Sequence, residues 1–256
     1  MSTVGLTLSQ ARYVNKAFWR NPARVFFTFA FPLMLLVIFT SLLGNGTVLV
    51  GSSAVKESTY YVAAMAAFAV IQACYSNIAS SVTAQRDAGI LKRIDGSPLP
   101  KGPFMGSRIL HSVVVAVMLV LLTAAFGRAF YSSHIPTGTA IVEFLVMLVI
   151  GSASFCALGL AITAVIPNAD ASAPVVFGTV LPLCFVSGIF IPFGNSAPNW
   201  ILWVGRIFPI KHFANGVMAG FLGTPFDWWD VLVVALWGAA GVLFAVRRFS
   251  WEPRTG

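Results

Sequence analysis

The stretch QRDAGILKRIDGSPLPKG, residues 85–102, interrupts a chain that is otherwise strongly apolar. It carries six charged residues, whereas residues 60–82 before it and residues 109–127 after it carry none. Two uncharged runs of about 20 residues on either side of a basic segment are typical of two membrane-spanning helices joined by a loop in water. The stretch therefore predicts a polytopic membrane protein that displays a structured loop at this point.

The composition extends this interpretation to the whole chain. Hydrophobic residues make up 58% of the 256 and charged residues 9%, whereas soluble domains are about 25% charged. The apolar runs are continuous, which favours helices over the alternating strands of a barrel. We therefore expect a single all-α transmembrane domain over residues 1–256, with six spans at residues 25–43, 60–82, 109–127, 140–166, 171–191 and 229–246.

The basic residues predict the orientation of these spans. Of the 16 Lys and Arg residues, 12 fall before the first span, in the loop after the second span, or after the sixth span. Because basic loops stay in the cytoplasm, both termini and the loop at residues 83–108 are predicted to be cytoplasmic. The four exceptions are Lys56, Arg128, Arg206 and Lys211.

Two further segments are predicted to be helical without crossing the membrane. Residues 6–24 form an amphipathic helix candidate, because Arg12, Lys16, Arg20 and Arg24 recur every four residues and Phe18 falls nearly opposite them. Such a helix lies in the headgroup layer. Residues 192–228 are rich in aromatics and broken by prolines, which predicts an extracytoplasmic re-entrant or interfacial region.

The sequence gives no case for an enzyme. It lacks a Walker A pattern and the serine nucleophile motifs, and its three histidines are scattered without partners at metal-ligand spacing. We expect neither a metal nor a cofactor on this chain. The net charge of +8 is explained by the basic cytoplasmic loops rather than by nucleic-acid binding. Charged groups near the membrane midplane are absent from the spans, which counts against a secondary transporter.

Polar residues inside the spans are the candidates for a translocation pathway. Gln72, Tyr75, Ser76 and Ser80 lie along one side of the second span, and Thr179 and Ser187 belong to the fifth. They either line a polar route or form hydrogen bonds between helices, and the sequence favours neither reading. Arg128 and Glu143, near the outer ends of the third and fourth spans, are expected to form a structural ion pair.

The opening stretch itself predicts a short amphipathic helix at residues 84–96, which Gly96, Pro98 and Pro100 would end. A rigid helix on a cytoplasmic loop is suited to receive a push from a soluble partner. The alternative is a charged loop that only fixes the topology.

Three segments resemble the ABC-2 type permeases, the membrane subunits of one class of ATP-binding cassette exporters. They are GILKRI with SPL at residues 89–94 and 97–99, NPARVFFTFAFPLMLLVIFTSLLG at residues 21–44, and SGIFIPFGNSAPNWILWVGRIFPIKHFANGV at residues 187–217. The resemblance covers nearly the whole chain. Ile90 and Lys92 depart from the family pattern, in which Thr and Glu are common at these two positions.

The resemblance implies a half-transporter in the cytoplasmic membrane. Two permeases, identical or paralogous, would work with an ABC ATPase dimer that carries the ATP and Mg²⁺. The cargo would be a lipophilic drug, antibiotic or lipid moved outward; a polysaccharide or glycolipid exporter is the alternative, and a membrane-embedded enzyme or assembly factor of another class is less favoured. Leu91 would be the apolar anchor in the ATPase. The other expected contributors to coupling are Arg86, Asp87, Gly89, Lys92, Arg93 and Pro98.

Overall fold

The computed structural model describes residues 2–43, 46–50, 53–96, 99–193 and 198–252. The predicted all-α membrane fold is confirmed, because six helices in this part of the chain are long and apolar enough to cross a membrane. The helices are α1 (Thr3–Trp19), α2 (Pro22–Leu43), α3 (Glu57–Ile71), α4 (Asn77–Asp87), α5 (Ile90–Asp95), α6 (Lys101–Tyr131), α7 (Thr139–Ile162), α8 (Ala169–Val186), α9 (Asn199–Ile207), α10 (Pro209–Leu222) and α11 (Trp228–Arg248). A short hairpin, β1 (Thr47–Val50) and β2 (Ser53–Lys56), joins α2 to α3 and was not predicted.

The second span lies at the centre of the bundle. It runs without a break from Glu57 to Asp87 through α3, a π-helical segment and α4. All of α3 except Glu57 is buried, against α2, α6 and α10 among others. A helix that is apolar all round has no preferred exposed face, so it is stable where neighbouring helices surround it.

The π-helical segment, Gln72–Ser76, falls within the polar stripe that the sequence picked out. Its wider turn is closed by the amide of Asn77, which donates to the carbonyl oxygen of Gln72 five residues earlier. Single π turns inside α-helices are rare and are frequent at functional sites. The second span is thus irregular at the place where its side chains become polar.

Small residues allow α7 and α11 to pack closely. A Cβ atom on Gly238 would collide with Ser154, and one on Gly241 would lie 3.1 Å from a side-chain carbon of Leu158. Close contact through small residues is a common means of association between helices in membranes, where lipid and protein are equally apolar. The sixth span is therefore held along the fourth by shape rather than by polar contacts.

The N-terminal helix is shorter than predicted. α1 ends at Trp19 and Arg20 caps it, while Arg24 belongs to α2, whose first turn is capped by the side chain of Asn21 accepting from the Arg24 amide at 3.0 Å. The prediction of one basic stripe over residues 6–24 is wrong in this respect, because the helix breaks before Arg24. α1 packs mainly on α6 and buries Phe18 there.

One end of the bundle gathers the segments predicted to be cytoplasmic. Lys92 in α5 lies 3.3 Å from the carboxylate of Glu252 in the C-terminal tail. The rings of Phe104, near the start of α6, and Trp251 are 5.9 Å apart. The predicted outer region, residues 192–228, contains α9 and α10 among its described residues. Its location outside the cytoplasm stays a prediction.

Candidate functional site

The loop after the second span is built from two helices rather than one. α4 ends at Asp87, Gly89 adopts a left-handed backbone with φ of 69°, and α5 then begins at Ile90. The prediction of a single helix over residues 84–96 is therefore wrong, because the left-handed residue breaks the helical ladder. Glycine adopts this conformation without steric cost. Pro98 lies outside the described residues.

Arg86 is buried inside the protein and holds the end of α7. Its side chain is 2% exposed. Nη1 donates to the carbonyl oxygen of Thr163 at 2.9 Å, and Nη2 donates to those of Ile166 and Pro167 at 2.8 and 2.9 Å. The last carbonyls of a helix have no partner inside it, and the planar guanidinium has enough donors to satisfy several at once. The prediction that Arg86 makes rim contacts with a partner is wrong, since these carbonyls already occupy it.

The next residue, Asp87, binds the start of α8. Its Oδ2 accepts from the amide of Ala169, the first residue of α8, and its Oδ1 lies 3.4 Å from Nε of Arg86. A carboxylate is favoured at a helix N-terminus by the unpaired amides there. Arg86 and Asp87, named here the loop clamp, therefore tie the end of the second span to the end of α7 and the start of α8.

α5 presents a different apolar side chain from the one expected. Leu91 is fully buried in the protein's own core, whereas Ile90 is 41% exposed. The prediction that Leu91 anchors a partner is wrong, because the apolar face of α5 is turned onto the bundle. Lys92 and Arg93 are exposed beside Ile90. The surface left for a partner is thus Ile90 with two basic neighbours, named here the α5 surface.

Three residues of the predicted pathway share one cavity. Gln72, Ser76 and Ser80 are half-buried and line a cavity of about 290 Å³ between the second span and α2. The hydroxyl of Ser76 donates to the side-chain oxygen of Gln72 within the π-helical segment. Arg24 and Asn77 also line this cavity, named here the polar cavity.

Two other residues of the predicted pathway, Tyr75 and Thr179, contact each other away from the polar cavity. The hydroxyls of Tyr75 and Thr179 are 3.0 Å apart. Thr179 donates its own proton to the carbonyl oxygen of Val176 at 2.8 Å, so Tyr75 is the donor in the shared bond. Both residues line a second cavity of about 290 Å³, whose other walls are almost entirely apolar side chains of the second span, α7, α8, α10 and α11 and of the turn before α10. This apolar cavity lies between the second and fifth spans, among other helices.

Ser187 lies apart from both cavities. It caps α8, and its buried hydroxyl has no hydrogen-bond partner among the described residues. The next residue, Gly188, has a left-handed φ of 82°, and its carbonyl oxygen accepts from the hydroxyl of Tyr60. Ser187 therefore does not join the other five residues at these two cavities, and its place in a pathway stays a prediction.

The expected outer ion pair is not formed. Arg128 is exposed and Glu143 is half-buried, and among the described residues no ion pair joins them. Gly127 packs so closely against Val62 that a Cβ atom there would collide with it. Since successive residues of a helix point about 100° apart, this contact turns Arg128 away from the core.

A buried contact between a histidine of α10 and an aspartate of α11 was missed by the sequence analysis. His212 in α10 and Asp230 in α11 are 7% exposed, and Nδ1 of the imidazole contacts Oδ1 of the carboxylate. Nε2 is 2.9 Å from the carbonyl oxygen of Arg206, which only accepts. The hydrogen bond to Asp230 raises the pKa of His212, which favours the doubly protonated ring. Burial lowers the pKa of the neighbouring Lys211, with a smaller effect from Arg206.

Comparison with known proteins adds one finding to this geometry. The sequence profile of a family described as ABC-2 type transporter matches residues 7–222. This match includes the loop clamp, the α5 surface, the polar cavity, α10 and the lining of the apolar cavity except Trp237 and Phe244 of α11. No curated protein matched the sequence.

Proposed function

The chain belongs to the ABC-2 type transporter family and is a permease of an ABC transporter, and we propose that it exports a lipophilic substrate across the cytoplasmic membrane. ATP hydrolysis would take place on a separate ABC ATPase dimer, which carries the nucleotide and Mg²⁺. The observation that carries the proposal is the loop clamp, because it connects an exposed helix on one side to two membrane spans on the other.

The α5 surface is the proposed contact for the ATPase. Ile90 is 41% exposed, and Lys92 and Arg93 beside it would meet acidic groups at the rim. An apolar residue surrounded by charged ones is a common arrangement at the centre of a protein interface. The site residues expected for coupling therefore change in role: Ile90 contacts the partner, while Leu91, Arg86 and Asp87 hold the helix in the permease.

The loop clamp gives a physical route from the ATPase to the membrane. Only Ala88 and Gly89 separate α5 from the last turn of α4, so a displacement of α5 would act directly on the end of α4 that carries the clamp. A movement that reaches Arg86 must also move the carbonyls of Thr163 and Ile166 or break its bonds to them. Asp87 carries the same movement to the start of α8. The fifth span would thereby respond to the nucleotide state of the ATPase.

The apolar cavity is the proposed place of the cargo. Its volume of about 290 Å³ is at the lower end for small-molecule sites, and its walls offer one polar point, the Tyr75–Thr179 pair. A movement of α8 would widen it, since Thr179 and Val180 are contributed by that helix. A lipophilic drug, antibiotic or lipid fits these walls better than a sugar chain does.

A polar or glycolipid cargo is the second candidate. The polar cavity, with Gln72, Ser76 and Ser80, offers hydrogen-bonding groups that the apolar cavity lacks. A polysaccharide or glycolipid would use this side of the second span. The two candidates differ in the cavity that they require, so a substitution in each cavity separates them.

A second copy of the permease, or a paralogue, completes the proposed transporter. α2 and α8 are the least buried of the six spans. On α8 the exposed side chains include Phe177 and Phe185, which are 39% and 47% exposed. Such a face is suited to lipid or to a second apolar helix. The proposed pathway would form where the two α8 helices approach each other.

Purification of the complex from its native membrane tests the proposal. A tagged chain extracted in mild detergent is expected to carry a second polypeptide with a Walker A sequence and to hydrolyse ATP, whereas the isolated chain does not. A chain that carries no ATPase, and whose protease sensitivity does not change with nucleotide, would contradict the proposed function.

A further inference from the structure

A third cavity lies beneath the N-terminal helix and is unusual in its charge. It has a volume of about 300 Å³ and is lined by residues of α1, α2, α4, α5 and α6. Three basic side chains line it, Arg24, Arg108 and His111, whereas none of its described lining residues is an Asp or Glu. A partly enclosed site with this balance of charge favours an anion.

Arg108 is the main evidence for an anion site in this cavity. It is 8% exposed and makes no ion pair with any described residue. Its guanidinium lies 3.7 Å from the centre of the Phe104 ring and donates to the Phe104 carbonyl at 3.3 Å and to the side-chain oxygen of Gln85. Its Nε has no partner among the described residues. These neutral contacts orient the cation without neutralising it, and a buried cation without a counter-ion is costly.

His111 and Arg24 also indicate that the cavity binds an anion. His111 is 6% exposed, and its Nδ1 has no hydrogen-bond partner among the described residues. Its ring is held edge-on by Phe18, 5.1 Å away. Arg24 is half-buried and also makes no ion pair with any described residue. One cavity thus receives two unpaired guanidinium groups and an unpartnered imidazole nitrogen, from two different helices.

The remaining walls indicate which anion fits. Neutral polar side chains of Asn77, Ser81 and Ser112 complete the inner wall. Val14, Phe18 and Ile78 are apolar, and a small hydrated anion would leave them in contact with water. Guanidinium groups match the oxygens of a phosphate group in charge and geometry. The cavity therefore offers a phosphate site with apolar surface next to it.

We propose that this cavity binds the phosphate group of an anionic phospholipid, such as phosphatidylglycerol. The amphipathic helix α1 forms one wall, and helices of this kind lie at the depth of lipid headgroups. The phosphodiester would accept hydrogen bonds from Arg24, Arg108 and His111, and the acyl chains would follow the apolar surface. Because Ile90 and Ile94 of α5 line the same cavity, the bound lipid would also support the helix proposed to meet the ATPase.

Native mass spectrometry of the purified chain tests this proposal. The chain is delipidated in a neutral detergent and then supplied with phosphatidylglycerol or phosphatidylcholine of identical acyl chains. We expect retention of one phosphatidylglycerol at about ten-fold lower lipid concentration than phosphatidylcholine, because the cationic choline opposes the two arginines. Equal retention of the two lipids by the unmodified chain would overturn the proposal, whatever the behaviour of any variant.

Substitutions locate the site and identify the source of the phosphate. The Arg24→Gln, Arg108→Gln double variant should lose the preference for phosphatidylglycerol, whereas Arg128→Gln, an exposed arginine elsewhere, should keep it. If the double variant does not fold, the single substitution His111→Gln in the otherwise unmodified chain should weaken the preference for phosphatidylglycerol. Preference that persists in a folded double variant would overturn the proposal. Stabilisation by inorganic phosphate equal to that by phosphatidylglycerol would assign the site to the free anion and overturn its assignment to lipid.

Discussion

Arg86 and Ile166 are joined by a hydrogen bond of 2.8 Å from Nη2 to a carbonyl oxygen, although 80 residues separate them in the chain. The bond lies at the end of the bundle that is proposed to be cytoplasmic, where the second span meets the turn between the fourth and fifth spans. It fixes the last turn of α4 to the residues that precede α8. A helix proposed to receive force and a helix proposed to move cargo are thus connected through one buried side chain.

Arg86→Gln should destabilise the protein and weaken transport. Glutamine is too short to reach all three carbonyls, and each buried polar group left unsatisfied costs about 1–3 kcal/mol. We expect a fall in thermal unfolding temperature and a lower ratio of transport to ATP hydrolysis in the reconstituted complex. Arg128→Gln is the matched control, because Arg128 is exposed and lies outside the loop clamp and the α5 surface, and such substitutions change stability by about 0.5 kcal/mol or less. Equal stability of the two variants would contradict the structural role of the clamp.

Ile90→Asp and Leu91→Asp should fail for different reasons. Ile90 is 41% exposed and Leu91 is fully buried, so Ile90→Asp should express and fold normally but lose ATPase binding. Leu91→Asp buries a charge in the core of the permease and should lower expression and unfolding temperature. Size-exclusion chromatography and ATPase pull-down separate the two effects. Normal ATPase binding by a folded Ile90→Asp variant would rule out the α5 surface as the contact.

Thr179→Trp and Ser76→Trp distinguish the two cavities. If the cargo is lipophilic, Thr179→Trp should fill the apolar cavity and block export while basal ATP hydrolysis continues. Ser76→Trp, in the polar cavity, should be less damaging, and the reverse order would favour a glycolipid cargo. Val117→Trp is the control, because Val117 is 37% exposed on α6 and lipid yields to the larger ring. Normal export by both cavity variants, or equal damage by Val117→Trp, would remove both cavities from the pathway.

His212→Gln should alter the pH dependence of stability. The pKa of His212 is raised above its usual 6.5 by Asp230, so the stabilisation from its charge is complete below about pH 6.5 and is lost as the pH rises through the raised pKa. The unfolding temperature of the native protein should therefore exceed that of His212→Gln most at low pH, and the difference should shrink at alkaline pH. A difference that is constant with pH would show that His212 is neutral throughout.

The spans were predictable because each is a long apolar run with at most one charged residue, which no soluble fold accommodates. The sequence named Tyr75 and Thr179 as polar positions on two spans of one predicted pathway. It did not predict that their hydroxyls are in contact. The direction of the polar stripe was not predictable, since the π-helical segment changes the helical period between Gln72 and Ser76. An ideal helix places the successive residues Tyr75 and Ser76 about 100° apart, and the structure turns Tyr75 toward one cavity and Ser76 toward another.

The structure changes the roles expected for Leu91 and Arg86, and the part of this loop in coupling stays a proposal. An amphipathic pattern gives the apolar face of α5 but does not say whether that face meets the bundle or a partner, and Leu91 meets the bundle. Arg86 reads as a surface cation because its acceptors are main-chain oxygens near residue 166. Backbone carbonyls have no sequence signature, so a contact of this kind is visible only after folding.

Photo-crosslinking from position 90 tests the central claim most directly. A photoreactive amino acid replaces Ile90 in the tagged chain, with Leu236, which is 59% exposed on the sixth span, as the matched control site. After irradiation of the native membrane, the account predicts one crosslinked product from position 90. Its second polypeptide should contain a Walker A sequence, and the product should be absent from position 236. A nucleotide-binding polypeptide that is never crosslinked at position 90, in a chain that folds and reaches the membrane, would contradict the account.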